Sequence, residues 1–275
     1  MEQKIAIIGT GRIGMALLGG LIQSHLFKPE HIIATARTES TLEKIMSAYN
    51  VLTTTDNRHA VSQADIVLLC VKPQNVKEIL LEISPAIRPE QLIISVLAGI
   101  TTKAIQNMLG SPNPIVRAMP NIPVVVDAGA TAIAAGQMVE SHHLELAKQI
   151  FAAVGKVVVV RESQMDAVTG LSGSGPAYIY MVIEALIDGG VKVGLSRDVS
   201  TELAIQTVLG AALLMQKSGK HPAVLKDEVT TPGGTAIAAI HELEEHGLRN
   251  MLISAVETAT RRSAELRKLL ENGSE

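Results

Sequence analysis

The sequence predicts a two-part chain: an α/β domain built on a mostly parallel sheet, followed by an all-α domain. Three observations carry this. Short β-branched runs alternate with amphipathic segments through the first half. Those runs are continuously apolar rather than alternating, which is the pattern of a parallel sheet covered on both faces. After Arg161 the strand patterns stop, and an Ala/Leu/Glu-rich stretch with a period near 3.6 residues takes over.

Taken in order, a first strand over 4–8 runs into Gly9-Thr10-Gly11-Arg12-Ile13-Gly14 and a helix over 12–24. Strands follow over 31–36, 66–71, 92–96 and 115–118, with helices over 40–49, 74–83 and 101–109 between them. Two more strands, 130–134 and 156–160, flank a helix over 141–153. The second domain carries helical patterns over 178–188, 198–217, 235–246 and 248–270, and the tail after Leu270 is expected to fray. No Pro/Gly linker marks the change of character, and the boundary is set between 162 and 163, giving domains 1–162 and 163–275. The run Ala177-Tyr178-Ile179-Tyr180-Met181-Val182-Ile183 has almost no polar face. A helix apolar all round must be buried all round, and a domain of about 110 residues cannot bury it within one copy. The second domain therefore reads as a dimerisation domain in an obligate oligomer.

Composition narrows the function classes. A length of 275 residues suits two domains, and 47% apolar residues suffice for a sizeable core. Lys and Arg number 24 against 27 Asp and Glu, a formal net charge of -3, so no polyanion-binding surface is indicated. Aromatics are 2% with no Trp, which removes the stacking platforms of nucleic-acid binders. The one cysteine, Cys70, excludes an intrachain disulfide and fits a reducing compartment. The chain enters its first strand with no room for a signal peptide, and no apolar run reaches the roughly 18 residues of a membrane span. The expectation is a soluble, cytoplasmic protein with neither a nucleic-acid nor a membrane partner.

After Ile8, which ends the strand and is counted with the cofactor contacts, Gly9 through Gly14 fits G-x-G-x-x-G in the context that motif requires, after a strand and opening a helix. Gly9 allows the tight turn, Gly11 lets backbone approach a pyrophosphate, and Gly14 permits close helix–strand contact. Thr10, Arg12 and Ile13 complete the loop. The pyrophosphate would sit at a helix N-terminus, where free N–H groups and the dipole favour an anion. The first domain is thus a Rossmann-type dinucleotide-binding domain. At the end of the second strand stands Ala34-Thr35-Ala36-Arg37-Thr38, where an acidic residue would select NAD. Arg37 is a fork-shaped cation suited to a 2′-phosphate and Thr38 adds a hydroxyl, so NADPH is favoured. Glu39 is one residue away, which keeps NADH as the alternative. Ligands of such folds lie at the carboxyl ends of the strands. That places Cys70-Val71-Lys72-Pro73, Val96-Leu97-Ala98 and Met119-Pro120-Asn121 near the nicotinamide. Lys72 is either a general acid or a charge that ends a strand.

In the second half, Leu171-Ser172-Gly173-Ser174-Gly175-Pro176 and Thr231-Pro232-Gly233-Gly234-Thr235-Ala236 place small residues at helix starts. Thr231 can be an N-cap and Pro232 the first helical residue, with Gly233 and Gly234 clearing the first turn. Simple capping and a carboxylate site on exposed N–H groups both fit that spacing. No metal site is expected: His241 and His246 are five apart, not the four of a zinc helix, and His142 and His143 are adjacent, so each pair diverges.

Val71-Lys72-Pro73, Arg117-Ala118-Met119-Pro120-Asn121-Ile122-Pro123, Gly170-Leu171-Ser172-Gly173-Ser174-Gly175-Pro176-Ala177-Tyr178 and Asp227-Glu228-Val229-Thr230-Thr231-Pro232-Gly233-Gly234 occur in one order along the chain. In these motifs the chain resembles pyrroline-5-carboxylate reductases over essentially its whole length. The resemblance implies NAD(P)H-dependent reduction of the cyclic imine 1-pyrroline-5-carboxylate to L-proline, the last step of proline synthesis. It also implies an intertwined homodimer, often assembled into a decamer. Cofactor contacts are implied from Gly9 to Ile13, from Asn57 on the adenosine side, and from Cys70–Pro73 and Val96–Ala98 around the nicotinamide. Gly233, Gly234, Thr235 and Ala236 would hold the substrate carboxylate beside Glu228. One departure stands out. The family usually carries a hydroxyl two places after the paired glycines, where this chain has Ala236, with Thr235 one position early. Thr235 is the candidate catalytic residue, although successive helical residues point about 100° apart. Two rivals stay open: another imine or β-hydroxyacid reductase of the same plan, for which Lys192 lies outside a matching motif, and a non-catalytic NADPH-binding regulator.

Overall fold

A computed structural model of the chain describes residues 1–272, with side chains described through residue 270. The first part runs β1 (Ile5–Ile8), α1 (Arg12–Gln23), β2 (Ile32–Thr35), α2 (Glu39–Tyr49), β3 (Leu52–Thr54), α3 (Asn57–Ser62), β4 (Ile66–Leu69), α4 (Val76–Ile83), β5 (Leu92–Ser95), α5 (Thr102–Leu109), β6 (Ile115–Met119), β7 (Gly129–Ala135), α6 (Ser141–Ala152), β8 (Gly155–Val159) and the short α7 (Met165–Val168). Helices α8 (Gly175–Lys192), α9 (Arg197–Ser218), α10 (Pro222–Glu228), α11 (Thr235–Glu245) and α12 (Leu248–Asn272) follow.

Among the described residues the strands form one sheet in the order β3-β2-β1-β4-β5-β6-β7-β8. All neighbours are parallel except β6 and β7. The link between those two, from Met119 to Gly129, is too short for the crossover that a parallel pair requires, so the chain must turn back. Continuous apolar strands follow from two buried layers. Ile5 and Ile7 face a cluster with Leu17, Leu21, Ile45 and Phe151, while Ala6 and Ile8 face one with Val61, Leu80 and Ile105. With both faces of β1 and β4 dry, neither register of their pleat carries a polar side chain.

The α/β class and the strands predicted from sequence agree with this sheet. Sequence reading did not foresee β3, α3, α7 or α10. Leu52–Thr54 is a three-residue edge strand with exposed or half-buried side chains, so it lacks the apolar signature of its neighbours. Helix α12 runs to Asn272, past Leu270, and the rest of the tail expected to fray lies outside the described residues.

The chain packs as two compact units. One comprises Met1–Ser174 together with the chain from Glu257 onward, and the other is Gly175–Val256. Within the first unit the later turns of α12 are anchored on α7. Ser263 Oγ donates to Asp166 Oδ1 at 2.8 Å and Arg267 Nε donates to Asp166 Oδ2 at 3.1 Å. Asp166 is mostly buried, so the pair is screened less than a surface bridge. In the second unit the apolar residues are largely bare. Ile205, Leu209 and Leu213 lie four residues apart along one face of α9, and are 49%, 49% and 41% exposed. Although single polar residues interrupt its apolar run, α9 is long and apolar enough, on length and composition alone, to cross a membrane. That qualifies the expectation drawn from uninterrupted runs.

Candidate active site

The loop between β1 and α1 is held by one buried residue, Thr35, through its hydroxyl and its carbonyl. Thr35, at the end of β2, accepts from Gly9 N on its Oγ1 at 3.2 Å, while its carbonyl accepts from Thr10 N at 3.1 Å and Thr10 Oγ1 at 3.0 Å. The loop is thereby tied to the neighbouring strand before any ligand arrives. Its glycines are not equivalent. Gly9 has φ +88°, in the left-handed region, and a Cβ there would come within 2.8 Å of Val71 Cγ1. A Cβ on Gly14 would run into the Gly9 carbonyl oxygen and lie 3.3 Å from Cys70 Cβ, which is the close helix–strand approach. A Cβ on Gly11 would meet no protein atom within 4 Å, and its φ of -74° suits any residue. Nothing in the protein's own packing asks for glycine at 11.

Gly11 instead opens onto a groove of about 330 Å³. The groove is lined by Gly9, Thr10, the segment from Thr35 to Thr38, Thr41, Thr55, Asn57, Cys70, Val71, Lys72 and Asn75. It meets the N-terminus of α1, whose N-cap Gly11 gives no side-chain cap, so the first-turn N–H groups remain available to an anion. Arg37 is exposed on the groove wall, and its guanidinium takes part in no ion pair or hydrogen bond among the described residues. Beside it Thr38 Oγ1 lies 2.9 Å from Thr41 Oγ1 at the start of α2. A backbone-lined hollow at a helix N-terminus, with a spare cation and two hydroxyls beyond it, fits a phosphorylated dinucleotide.

The sequence-predicted residues divide. Gly9, Thr10, Gly11, Arg37, Thr38, Asn57, Cys70, Val71 and Lys72 come together in the groove. Ile8 is buried in β1; Arg12, Ile13 and Gly14 form the first turn of α1. Pro73 starts a short turn after β4. Val96, Leu97 and Ala98 follow β5, Met119 ends β6 with Pro120 and Asn121 after it, and none of them lines this groove. Asn121 has structural work: its Nδ2 donates to Ser172 O at 3.0 Å and its Oδ1 accepts from Ala130 N at 2.8 Å. Burial pushes the Cys70 thiol up to about 12, which makes it a neutral packing group rather than a nucleophile. Sequence reading passed over Thr35, Thr41, Thr55 and Asn75. Their only sequence mark is a run of hydroxyl and amide residues after apolar strands, which ordinary loops share.

In the second unit the segment around residue 231 corrects an expectation. Thr231 is not an N-cap and Pro232 is not the first helical residue: α11 starts at Thr235 with Gly234 as N-cap. Gly234 N donates to Thr231 O at 3.0 Å, and Gly233 has φ +66°. Pro at the second place and a left-handed Gly at the third define a type II turn. The tetrapeptide is therefore spent on the turn, and the helix begins at the next residue. Gly234 offers no side-chain cap, leaving the N–H groups of the first turn of α11 open. Thr235 is exposed and Ala236 half-buried. Glu228, the last residue of α10, is ion-paired with Lys220.

The second half, residues 162–266, matches the family model described as pyrroline-5-carboxylate reductase dimerisation. Residues 4–99 match that of NADP oxidoreductase, coenzyme F420-dependent. A pyrroline-5-carboxylate reductase of Synechocystis sp. is 47% identical over 270 residues, covering 98% of this chain and 100% of that protein. The chain belongs to the pyrroline-5-carboxylate reductase family. A relative of that name from Methanosarcina acetivorans is 44% identical over 97% of the chain and 99% of its own length. The Coxiella burnetii enzyme superposes with a TM-score of 0.93 at 38% identity, covering 97% of this chain and 99% of that one. The Plasmodium falciparum pyrroline carboxylate reductase, solved with NADP bound, gives 0.86 at 31% identity over 97% and 98% of the two chains.

Proposed function

We propose that this protein reduces 1-pyrroline-5-carboxylate to L-proline, with NADPH as the preferred hydride donor and NADH as a poorer one. The observation that carries the reading is a dinucleotide groove and an uncapped helix start at Gly234–Ala236 in one chain whose full-length relatives are named for this reaction. The protein acts in the cytoplasm as a homodimer, which the match to a dimerisation family supports. The resemblance extends this to a decamer, and sedimentation velocity separates the two assemblies.

The bound dinucleotide supplies a hydride. The remaining work is positioning and electrostatics by the chain's own groups. Open N–H groups of Thr235 and Ala236 hold the substrate carboxylate, with Gly233 and Gly234 keeping side chains out of the way and Glu228 beside them. The substrate reacts as its iminium. Hydride adds to the ring carbon, the C=N π electrons move onto nitrogen, and the nitrogen already carries its proton. No side-chain acid is needed at that step, which suits a chain with Ala236 where the family usually has a hydroxyl. Cofactor residues remain those assigned from sequence, from Ile8 through Asn121.

Two variants test the assignments. Thr235→Ala removes only the side-chain hydroxyl and keeps the backbone N–H, so kcat/KM is expected to fall by no more than about tenfold, the value of one neutral hydrogen bond. A fall beyond about 10³-fold would make Thr235 a true proton donor and overturn the positioning account. Arg37→Ala is expected to cut the NADPH-over-NADH ratio of kcat/KM by about ten- to a hundredfold, the value of a charged hydrogen bond to phosphate. An unchanged ratio removes Arg37 from cofactor selection. Glu39, the residue that would favour NADH, is absent from the groove lining.

A further inference from the structure

Asn57 reaches the groove from the first turn of α3, on the far side of β2 from the fingerprint loop. The end of β2 is the ribose side of a dinucleotide site, so the groove wall beyond it, with Thr55 and Asn57, faces the adenosine. The Asn57 amide is not free to turn. Its Nδ2 donates to Glu82 Oε2 at 3.0 Å across 25 residues of sequence. A carboxylate offers acceptors only, so the amide must present its NH₂ to Glu82 and its oxygen to the other side. Glu82 stands in α4, and its backbone carbonyl accepts from Nε of Arg58, the residue next to Asn57, at 2.7 Å. The Oδ1 of Asn57 accepts from no described residue.

We propose that Glu82, which the sequence reading did not single out, is a positioning residue for the adenosine half of the cofactor. It holds Asn57 Oδ1 toward the groove as a preset acceptor for an adenosine N–H or O–H. The inference rests on the dinucleotide reading of the groove. Without Glu82 the amide rotates freely, and the bond to adenosine must be won against that freedom.

NADPH binding by fluorescence titration without substrate, kcat at saturating NADPH, and the melting temperature are measured for Glu82→Ala, Glu82→Gln, Asn57→Ala and the double variant. Glu82→Ala is expected to raise the NADPH Kd about three- to tenfold, the value of one neutral hydrogen bond, with kcat and Tm near those of the parent. Glu82→Gln keeps an acceptor and restores most of the affinity. In the Asn57→Ala background, removing Glu82 should add nothing, since one acts through the other. Additive effects, an unchanged Kd in Glu82→Ala, or loss of affinity only in step with Tm would each overturn the proposal. A parent protein that binds no NADPH would overturn the dinucleotide reading together with it.

Discussion

Replacing Gly11 by alanine is expected to weaken NADPH binding at least tenfold while leaving the melting temperature unchanged. The backbone at Gly11 is in a region that alanine adopts freely, and the added methyl meets no protein atom. It projects instead into the space where a pyrophosphate must approach the N–H groups of α1. Gly14→Ala provides the contrast. Its methyl would strike the Gly9 carbonyl, so α1 must lift from the loop, at about 1–3 kcal/mol for overpacking. Both stability and binding are expected to fall in that variant. Calorimetric melting beside a fluorescence titration separates the two glycines. A Gly11→Ala protein that binds NADPH like its parent would mean that no phosphate lies against this loop.

The second large effect is on assembly. Leu209→Glu is expected to convert the dimer to a monomer, weakening association by about three orders of magnitude or more. Leu209 stands mid-way along the bare face made by Ile205, Leu209 and Leu213. In a two-fold interface each substitution appears twice. Burying two unpaired carboxylates costs several kcal/mol even after relaxation, and each ~1.4 kcal/mol is a factor of ten. The single chain should fold, because the position is half-exposed within it. Analytical ultracentrifugation over a concentration series reads the shift. A variant that sediments as its parent would place the self-association surface elsewhere than α9.

Legibility followed burial. Strands β1, β4 and β5 announce themselves because both of their faces are dry, so Ile5–Ile8 and Ile66–Leu69 have no polar position. The fingerprint was readable because its glycines answer to a left-handed turn at Gly9 and to a close approach at Gly14 that a Cβ would block. Edge strand β3 was silent because its side chains are half in water, and α3 and α10 were silent because six or seven residues are too few to reveal a period. The pattern over 235–246 located α11, but the cap ahead of it was misassigned for a different reason. Thr-Pro-Gly-Gly satisfies both a helix cap and a type II turn, and only the hydrogen bond from Gly234 to Thr231 decides between them. Thr35 and Glu82 were beyond sequence altogether. Each matters through a partner some 25 residues away, Thr35 on the fingerprint loop and Glu82 on Asn57. Such pairings exist only once the sheet has brought β2 beside β1 and α3 beside α4.

The most direct measurement is the loss of absorbance at 340 nm when the purified protein meets 1-pyrroline-5-carboxylate with NADPH or NADH, with proline quantified at the end. The account predicts rapid oxidation, one proline per NADPH consumed, and a higher kcat/KM with NADPH than with NADH. Binding of NADPH without turnover of this imine by either cofactor would contradict it, leaving the dinucleotide groove in place and removing the substrate assigned to Gly233–Ala236.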